Sequence, residues 1–372
     1  MQLRSYVPAV VLCHCSMSPS QKKQRISAVV IKHAVSTTDS GEKLQNLLTW
    51  LKSCGTKGLE DGRFNFIGSD GQCGGSLGGF AAMDYAVGDL LFAIPLSCIL
   101  SLSNSRNSKV TNLVRDAAKA FGEPALVTSE LLIWLCMIQH LDDSSSHFNP
   151  FLQSLDSDSP SPLSWPKELA AALLGTNMST MTSPFTSVQK HSEFLNETRR
   201  WAQETNIDCS FLSPEKYNVT SLIWARGHYL ARRYPGKFSI NINTQSSDGT
   251  EDSESNNIEE DTISKDDGRE PGMMNLGALV PLLDILNHDP EREWLTFKVL
   301  DGFLHVTCNY PVAKGSELYS NYGSLSNEML LHAYGFCLEK NDDDAVTLQL
   351  MGVGVDPVNN NTTGLSAQFF LD

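Results

Sequence analysis

The chain contains no Cys-x-x-Cys pair, and its nine cysteines are an odd number. Such a set argues against a disulfide framework and against a structural zinc cluster, so no metal is expected. Cys13-His14-Cys15 is the one dense group and reads as chance proximity in a leader. Long apolar runs are missing too. None reaches the roughly 18 residues of a membrane-spanning helix, and Leu131 to Ile138 reads instead as a buried helix. No membrane partner is expected. Basic residues are few: 28 Lys and Arg stand against 43 Asp and Glu, for a formal net charge of −15. An acidic chain is poorly suited to phosphates, so no nucleic-acid partner is expected either. Much of the excess is local, because residues 241–272 hold ten acidic and two basic side chains. Acids are in turn absent from the first 38 residues, where Arg4, Lys22, Lys23, Arg25 and Lys32 lie among many Ser and Thr. That composition fits an organelle transit peptide or a disordered cytosolic leader. The compartment stays open between chloroplast or mitochondrion and cytoplasm or nucleus.

What is present suffices for a sizeable core: 372 residues, 41% of them hydrophobic, enough for two or three structural units. Leu44, Leu47, Leu48 and Leu51 recur at helical spacing within Glu42 to Leu51. A glycine-dense stretch, Gly68 to Gly79, leads to a strand expected over Asp89 to Pro95. Ser129 is the expected N-cap of a helix from Glu130 to His140. A short helix is expected over Lys167 to Leu174. Ser213-Pro214-Glu215 reads as a helix start, with the helix running to about Arg233. Residues 241–272 cannot bury enough apolar area to order themselves and read as a disordered insertion. Leu276 to Leu286 is nearly continuous apolar sequence around Asp284, and from Leu279 it reads as a buried apolar strand ending in Asn287-His288. Asp301-Gly302 between two β-like segments, Trp294 to Leu300 and Phe303 to Cys308, is a hairpin signal. A turn at Lys314-Gly315, a strand from Glu317 to Asn321 and a helix from Ser326 to Tyr334 follow. The strand-rich segments 60–100 and 276–322 must pair across a helical middle to make one fold.

Three stretches carry candidate chemistry. The glycine turn Gly74-Gly75-Ser76-Leu77-Gly78-Gly79 permits close backbone approach to a ligand. A dinucleotide fingerprint would need a helix straight after it, whereas a strand and Pro95 follow. The second is the apolar run ending in Asn287-His288, where Asn287 could equally cap a turn. The third is Asn321-Tyr322-Gly323, at the end of a strand, where a tyrosine could equally be core.

Taken in order, these stretches resemble the SET-domain protein methyltransferases, in the branch of Rubisco large-subunit lysine methyltransferase. Leu47 to Leu51 is similar to that family's opening helix. The glycine turn running into Asp84 to Pro95 resembles its first cofactor-binding segment. Phe148-Asn149-Pro150-Phe151-Leu152, Leu163-Ser164-Trp165, Leu173 to Thr176 and Trp224-Ala225 resemble landmarks of its helical insertion. Asn287-His288, Asn321-Tyr322-Gly323, Ser326-Asn327 and Tyr334-Gly335-Phe336 complete the likeness, which spans roughly residues 44–356. Gly79 stands where the family more often carries leucine, and Ser76 where it often carries glycine.

The resemblance implies an α+β fold: a SET domain of short β-sheets with a pseudoknot, split by a helical insertion. The expected organisation is a leader at 1–38 and a SET core N-terminal part at 39–110. A helical insertion follows at 111–222, then a SET core C-terminal part at 223–337, with residues 338–372 resembling the start of a substrate-capturing region. The resemblance implies S-adenosyl-L-methionine as cofactor, held by Gly78, Gly79, Arg232, Asp284, Asn287, His288, Tyr322 and Phe336. Tyr322 is the implied catalytic residue, and Tyr234, Tyr322 and Phe336 the implied lysine channel. The implied function is protein-lysine N-methylation of a non-histone protein that presents a lysine, by a monomer. Histidine methylation, as in the actin-directed relative, is the alternative. Tyr234 speaks for lysine, because the histidine-directed relative has asparagine two residues after its matching arginine. A catalytically inactive SET module that binds a partner is the remaining alternative.

Overall fold

The computed structural model describes residues 37–59, 64–67, 78–105, 108–160, 162–165, 182–234, 277–350 and 365–370. Residues 1–36 of the expected leader, the expected helix at Lys167 to Leu174, the insertion 241–272 and the first part of the glycine turn lie outside the described residues; the last two leader residues, Thr37 and Thr38, belong to the first helix.

Helix α1 (Thr37–Ser53) buries Leu47 and Leu51 as its spacing requires. Strands β1 (Phe64–Ile67), β2 (Gly78–Ala81) and β3 (Leu90–Pro95) follow. The helical middle comprises α2 (Leu102–Ser105), α3 (Lys109–Phe121), α4 (Ser129–Leu141), α5 (Asn149–Ser154), α6 (Thr182–Glu204) and α7 (Val219–Arg232). Residues Leu131 to Ile138 of α4 are all buried, because α4 packs against α2, α3, α5 and α7 at once. A helix enclosed on all sides needs no polar face. The cap of α4 is Thr128, whose hydroxyl accepts the Leu131 N–H at 3.1 Å, so the helix starts at the residue expected to cap it.

The segment at Ser213-Pro214-Glu215 forms a turn, and α7 begins later, at Val219. Asn218 is its cap and accepts the Ser221 N–H at 3.0 Å. The cause lies in α6. Arg199 donates to the carbonyls of Leu212 at 2.6 Å, Ser213 at 3.3 Å and Tyr217 at 2.7 Å. Those carbonyls turn towards the guanidinium, and the caps Ser and Asn compete for the helix start.

The remaining strands are β4 (Arg233–Tyr234), β5 (Ala278–Leu279), β6 (Asn287–His288), β7 (Leu295–Leu300), β8 (Phe303–Cys308) and β9 (Glu317–Ser320). Helix α8 (Asn327–Tyr334) is capped by Ser326 and ended by Gly335 in the left-handed conformation. β10 (Ala345–Leu350) and β11 (Leu365–Phe370) pair with each other. The expected hairpin joins β7 to β8, with Asp301 at φ 51° and Gly302 at φ 77°, the signs that a type I′ turn needs.

The two distant strand-rich segments do meet. β2 pairs antiparallel with β9, and β3 with β8. One sheet has the order β1-β2-β9-β6, the other β3-β8-β7. The expected apolar strand from Leu279 up to Asn287-His288 is corrected. Only Ala278–Leu279 is strand. Leu282, at φ 71°, then breaks the chain direction, and Leu283–Ile285 forms a 3-10 turn before β6. A run without polar alternation carries no period that separates strand from buried turn.

Candidate active site around Tyr322

The site lies where β6 runs parallel to β9, with Asn287 opposite Tyr319 and His288 opposite Ser320. Tyr322 follows directly. Its N–H donates to His288 Nδ1 at 3.1 Å, and its hydroxyl donates to the Leu286 carbonyl at 2.8 Å. The imidazole stacks on the Tyr322 ring at 4.9 Å, and Tyr334 stacks on the same phenol at 4.6 Å. Phe336 stands 6.4 Å from His288 and 6.1 Å from Tyr334. The backbone bond to Nδ1 fixes the imidazole with its proton on Nε2. Burial, the largest cause, lowers the His288 pKa below its ordinary value, so the ring is neutral at pH 7.

Burial raises the Tyr322 phenol above its usual range, and neighbouring Tyr334 adds to that. Tyr322 therefore stays protonated. Because its hydrogen is committed to Leu286, its oxygen presents lone pairs rather than a donor.

Tyr234, at the end of β4, donates its hydroxyl to the Leu283 carbonyl at 2.8 Å, and its oxygen lies 3.2 Å from Ser320 Oγ. Its pKa is raised by burial and then by Tyr322 nearby. The 3-10 turn that replaced the expected strand is thus what aims the carbonyls of Leu283 and Leu286 at these two phenols.

Arg232, the last residue of α7, reaches the same turn. Its Nη1 lies 3.1 Å from the Asp284 carbonyl and 3.2 Å from Asp284 Oδ2. The Asp284 side chain is 2% exposed. Burial raises its pKa while Arg232 opposes the shift. Both Arg232 Nε and Asp284 Oδ1 are buried without a hydrogen-bond partner among the described residues. Buried polar atoms without a partner are costly to a fold and suit a ligand-binding site.

On the other side of β6, Asn287 Nδ2 donates to Glu317 Oε1 at 2.6 Å. Glu317 Oε2 in turn accepts the Tyr319 hydroxyl at 2.9 Å. Gly78 of β2 leaves the space for this pair. A Cβ there would meet Glu317 Oε1 at 2.8 Å and Asn287 Nδ2 at 3.1 Å. Gly79 pairs with Leu318 in the same sheet.

Among the sequence-derived candidates, Arg232 with Asp284, and His288 with Tyr322 and Phe336, are thus drawn together, and Asn287 and Gly78 meet through Glu317. Sequence reasoning missed Glu317, Ser320 and Tyr334. Tyr334 sat in a recognised motif, but only the folded helix α8 lays its ring on Tyr322. Glu317 carried one signal: an acid on an otherwise apolar strand, two residues before Tyr319 and hence on its face. Two clefts, of about 410 and 570 Å³, are lined from α1, α4, α5 and α7 and include none of these residues.

No protein-family profile matches the chain. It is 42% identical over 74 residues to the ribosomal lysine N-methyltransferase set10 of Schizosaccharomyces pombe, covering 19% of this chain and 14% of that one. It is 24% identical over 346 residues to the N-lysine methyltransferase setd6 of Xenopus laevis, covering 90% of this chain and 65% of that one. The match thus spans less than two thirds of either relative's length. In structure it superposes on the SET domain of LSMT bound to lysine and AdoHcy with a TM-score of 0.63 at 17% identity, covering 89% of this chain and 68% of that one. Rubisco LSMT bound to AdoMet gives a TM-score of 0.62 at 18% identity, covering 88% and 66%. The chain therefore has the α+β SET-domain fold seen in Rubisco LSMT, and in sequence it is similar to protein-lysine methyltransferases.

Proposed function

We propose that the chain transfers a methyl group from S-adenosyl-L-methionine to a lysine side chain of a non-histone protein. The observation that carries this reading is the Tyr322 hydroxyl. It is half-buried, protonated and committed to the Leu286 carbonyl, which leaves its oxygen to accept from an incoming amine. The fold likeness and the names of the relatives point the same way.

The residues fit the cofactor. Arg232 Nε is an unsatisfied donor and Asp284 Oδ1 an unsatisfied acceptor, a pairing that complements the carboxylate and ammonium of an amino-acid tail. Asn287 and His288, with Gly78 and Gly79 on β2 of the same sheet, complete the cradle, and Phe336 gives it an apolar wall. The cofactor supplies a methyl group on a sulfonium, which leaves by in-line displacement.

The chain's own part is positioning. Tyr322 Oη and the carbonyls around it direct the lysine amine and steady developing positive charge. Tyr234, Tyr322 and Phe336 line a channel that excludes water and tolerates a methylated ammonium. A free lysine has a pKa of ~10.4, so desolvation and nearby positive charge must favour its neutral form.

Incubating the purified chain with labelled S-adenosylmethionine and a whole-cell lysate, then mapping the label by mass spectrometry, tests the proposal. Label on lysine supports it. Label on histidine would select the alternative chemistry, and no label under conditions of demonstrated cofactor binding would favour a non-catalytic module.

A further inference from the structure

Outside the Tyr322 site, the fold gathers two cysteines and a histidine that are far apart in sequence. Cys54 follows α1, Cys98 lies in the 3-10 turn after β3, and His147 precedes α5. One ligand atom from each lies within 4.8 Å of the other two. Both cysteines are free thiols. Cys98 is buried, Cys54 half-buried and His147 exposed.

His147 is already oriented. Its Nε2 lies 3.1 Å from the Ser97 carbonyl, and the ring rests edge-on against Trp50 at 5.3 Å. With Nε2 donating to that carbonyl, Nδ1 carries a lone pair. A histidine that ligates a metal is held in this way, its other nitrogen donating to a carbonyl or carboxylate.

We propose that Cys54, Cys98 and His147 bind a thiophilic divalent cation of the zinc class, with solvent as fourth ligand. Zinc takes sulfur at about 2.3 Å and imidazole nitrogen at about 2.0–2.1 Å, which puts tetrahedral sulfurs about 3.8 Å apart. Tetrahedral sulfur and nitrogen lie about 3.6 Å apart, so the three ligand atoms need to close by at most about 1.2 Å to reach that geometry. Each thiol releases its proton to solvent on binding, and two thiolates balance the charge of a divalent cation, leaving a neutral centre beside the core. Burial holds Cys98 as a thiol, its pKa raised to about 12, so the cation itself must displace the proton. Bound there, it would tie α1 and the end of β3 to the start of α5. The cluster shares no residue with the Tyr322 site, so this inference does not depend on the proposed activity.

Cobalt(II) titration of the reduced full-length chain, followed by absorption spectroscopy, tests the site. A sulfur-to-cobalt charge-transfer band should saturate at one equivalent and be displaced by zinc. It should survive Cys13→Ser/Cys15→Ser, which removes the other dense Cys-His group. It should disappear in Cys54→Ser and weaken about tenfold or more in affinity in His147→Gln. His147 is exposed, so its variant reports on binding even if a cysteine variant folds poorly. Absence of the band in the unmodified chain, its loss in Cys13→Ser/Cys15→Ser, or its persistence at full affinity in His147→Gln would overturn the proposal.

Discussion

Single atoms decide the geometry of the site. Gly78 is glycine because a Cβ would press on Glu317 Oε1 and Asn287 Nδ2. Both are ends of side chains and can move, so Gly78→Ala should fold with little change in melting temperature. Asn287, however, would be displaced from the cradle. Calorimetric titration with S-adenosylhomocysteine should show about tenfold weaker binding, the equivalent of roughly one lost hydrogen bond. Asn287→Ala should weaken binding by at least as much, since it removes the donor itself. Unchanged affinity in both variants would remove Asn287 from the cofactor site. The Asn287-His288 and Tyr322 motifs were legible only through the family resemblance, because taken alone they read equally well as a turn cap and a core tyrosine. Glu317 and Tyr334 were not. Their roles arise from strand pairing and helix packing, and no local pattern encodes which ring will stack on which.

Elements were legible where local physics settles them. The spacing of Leu44, Leu47, Leu48 and Leu51 identified α1, and Asp301-Gly302 identified the β7–β8 hairpin. Boundaries failed where two residues compete or a distant group intervenes. Thr128 and Ser129 are both good caps, and Arg199 draws on the carbonyls ahead of α7. The α4 correction can be tested directly. Thr128→Ala should cost about 1 kcal/mol, as loss of an N-cap does, while Ser129→Ala should change stability by less than about half that. Urea unfolding of the two variants measures both, and the reverse order would restore Ser129 as the cap. The apolar run before Asn287 misled for a different reason. Leu282 at a positive φ of 71° lets it fold into a turn, and tertiary burial, not propensity, sustains that conformation.

At the scale of the molecule, buried and half-buried histidines contribute to the response to acid. His140, His191, His228, His288 and His332 all have pKa values lowered from 6.5, each chiefly by burial, and that of His228 falls to about 3. The unfolded chain therefore binds protons that the fold refuses. Their contribution to stability is complete above pH 6.5 and is lost as pH falls towards the folded values. The urea midpoint should hold between pH 7 and 8 and drop steadily below about 6.5. His228→Gln, which keeps a donor for the Asp156 carbonyl, should flatten that slope; an unchanged slope would take His228 out of the linkage. The whole fold also has to place the Tyr322 hydroxyl, and turnover reports whether it matters. Tyr322→Phe keeps the ring stacked between His288 and Tyr334 and deletes only the oxygen. With a substrate identified by lysate labelling, single-turnover methylation by wild type and Tyr322→Phe should differ by about 10²–10³, the usual loss for one preorganised polar group. Melting temperature and S-adenosylhomocysteine affinity should be nearly unchanged. A Phe variant that methylates its lysine at close to the wild-type rate would contradict the catalytic assignment of Tyr322.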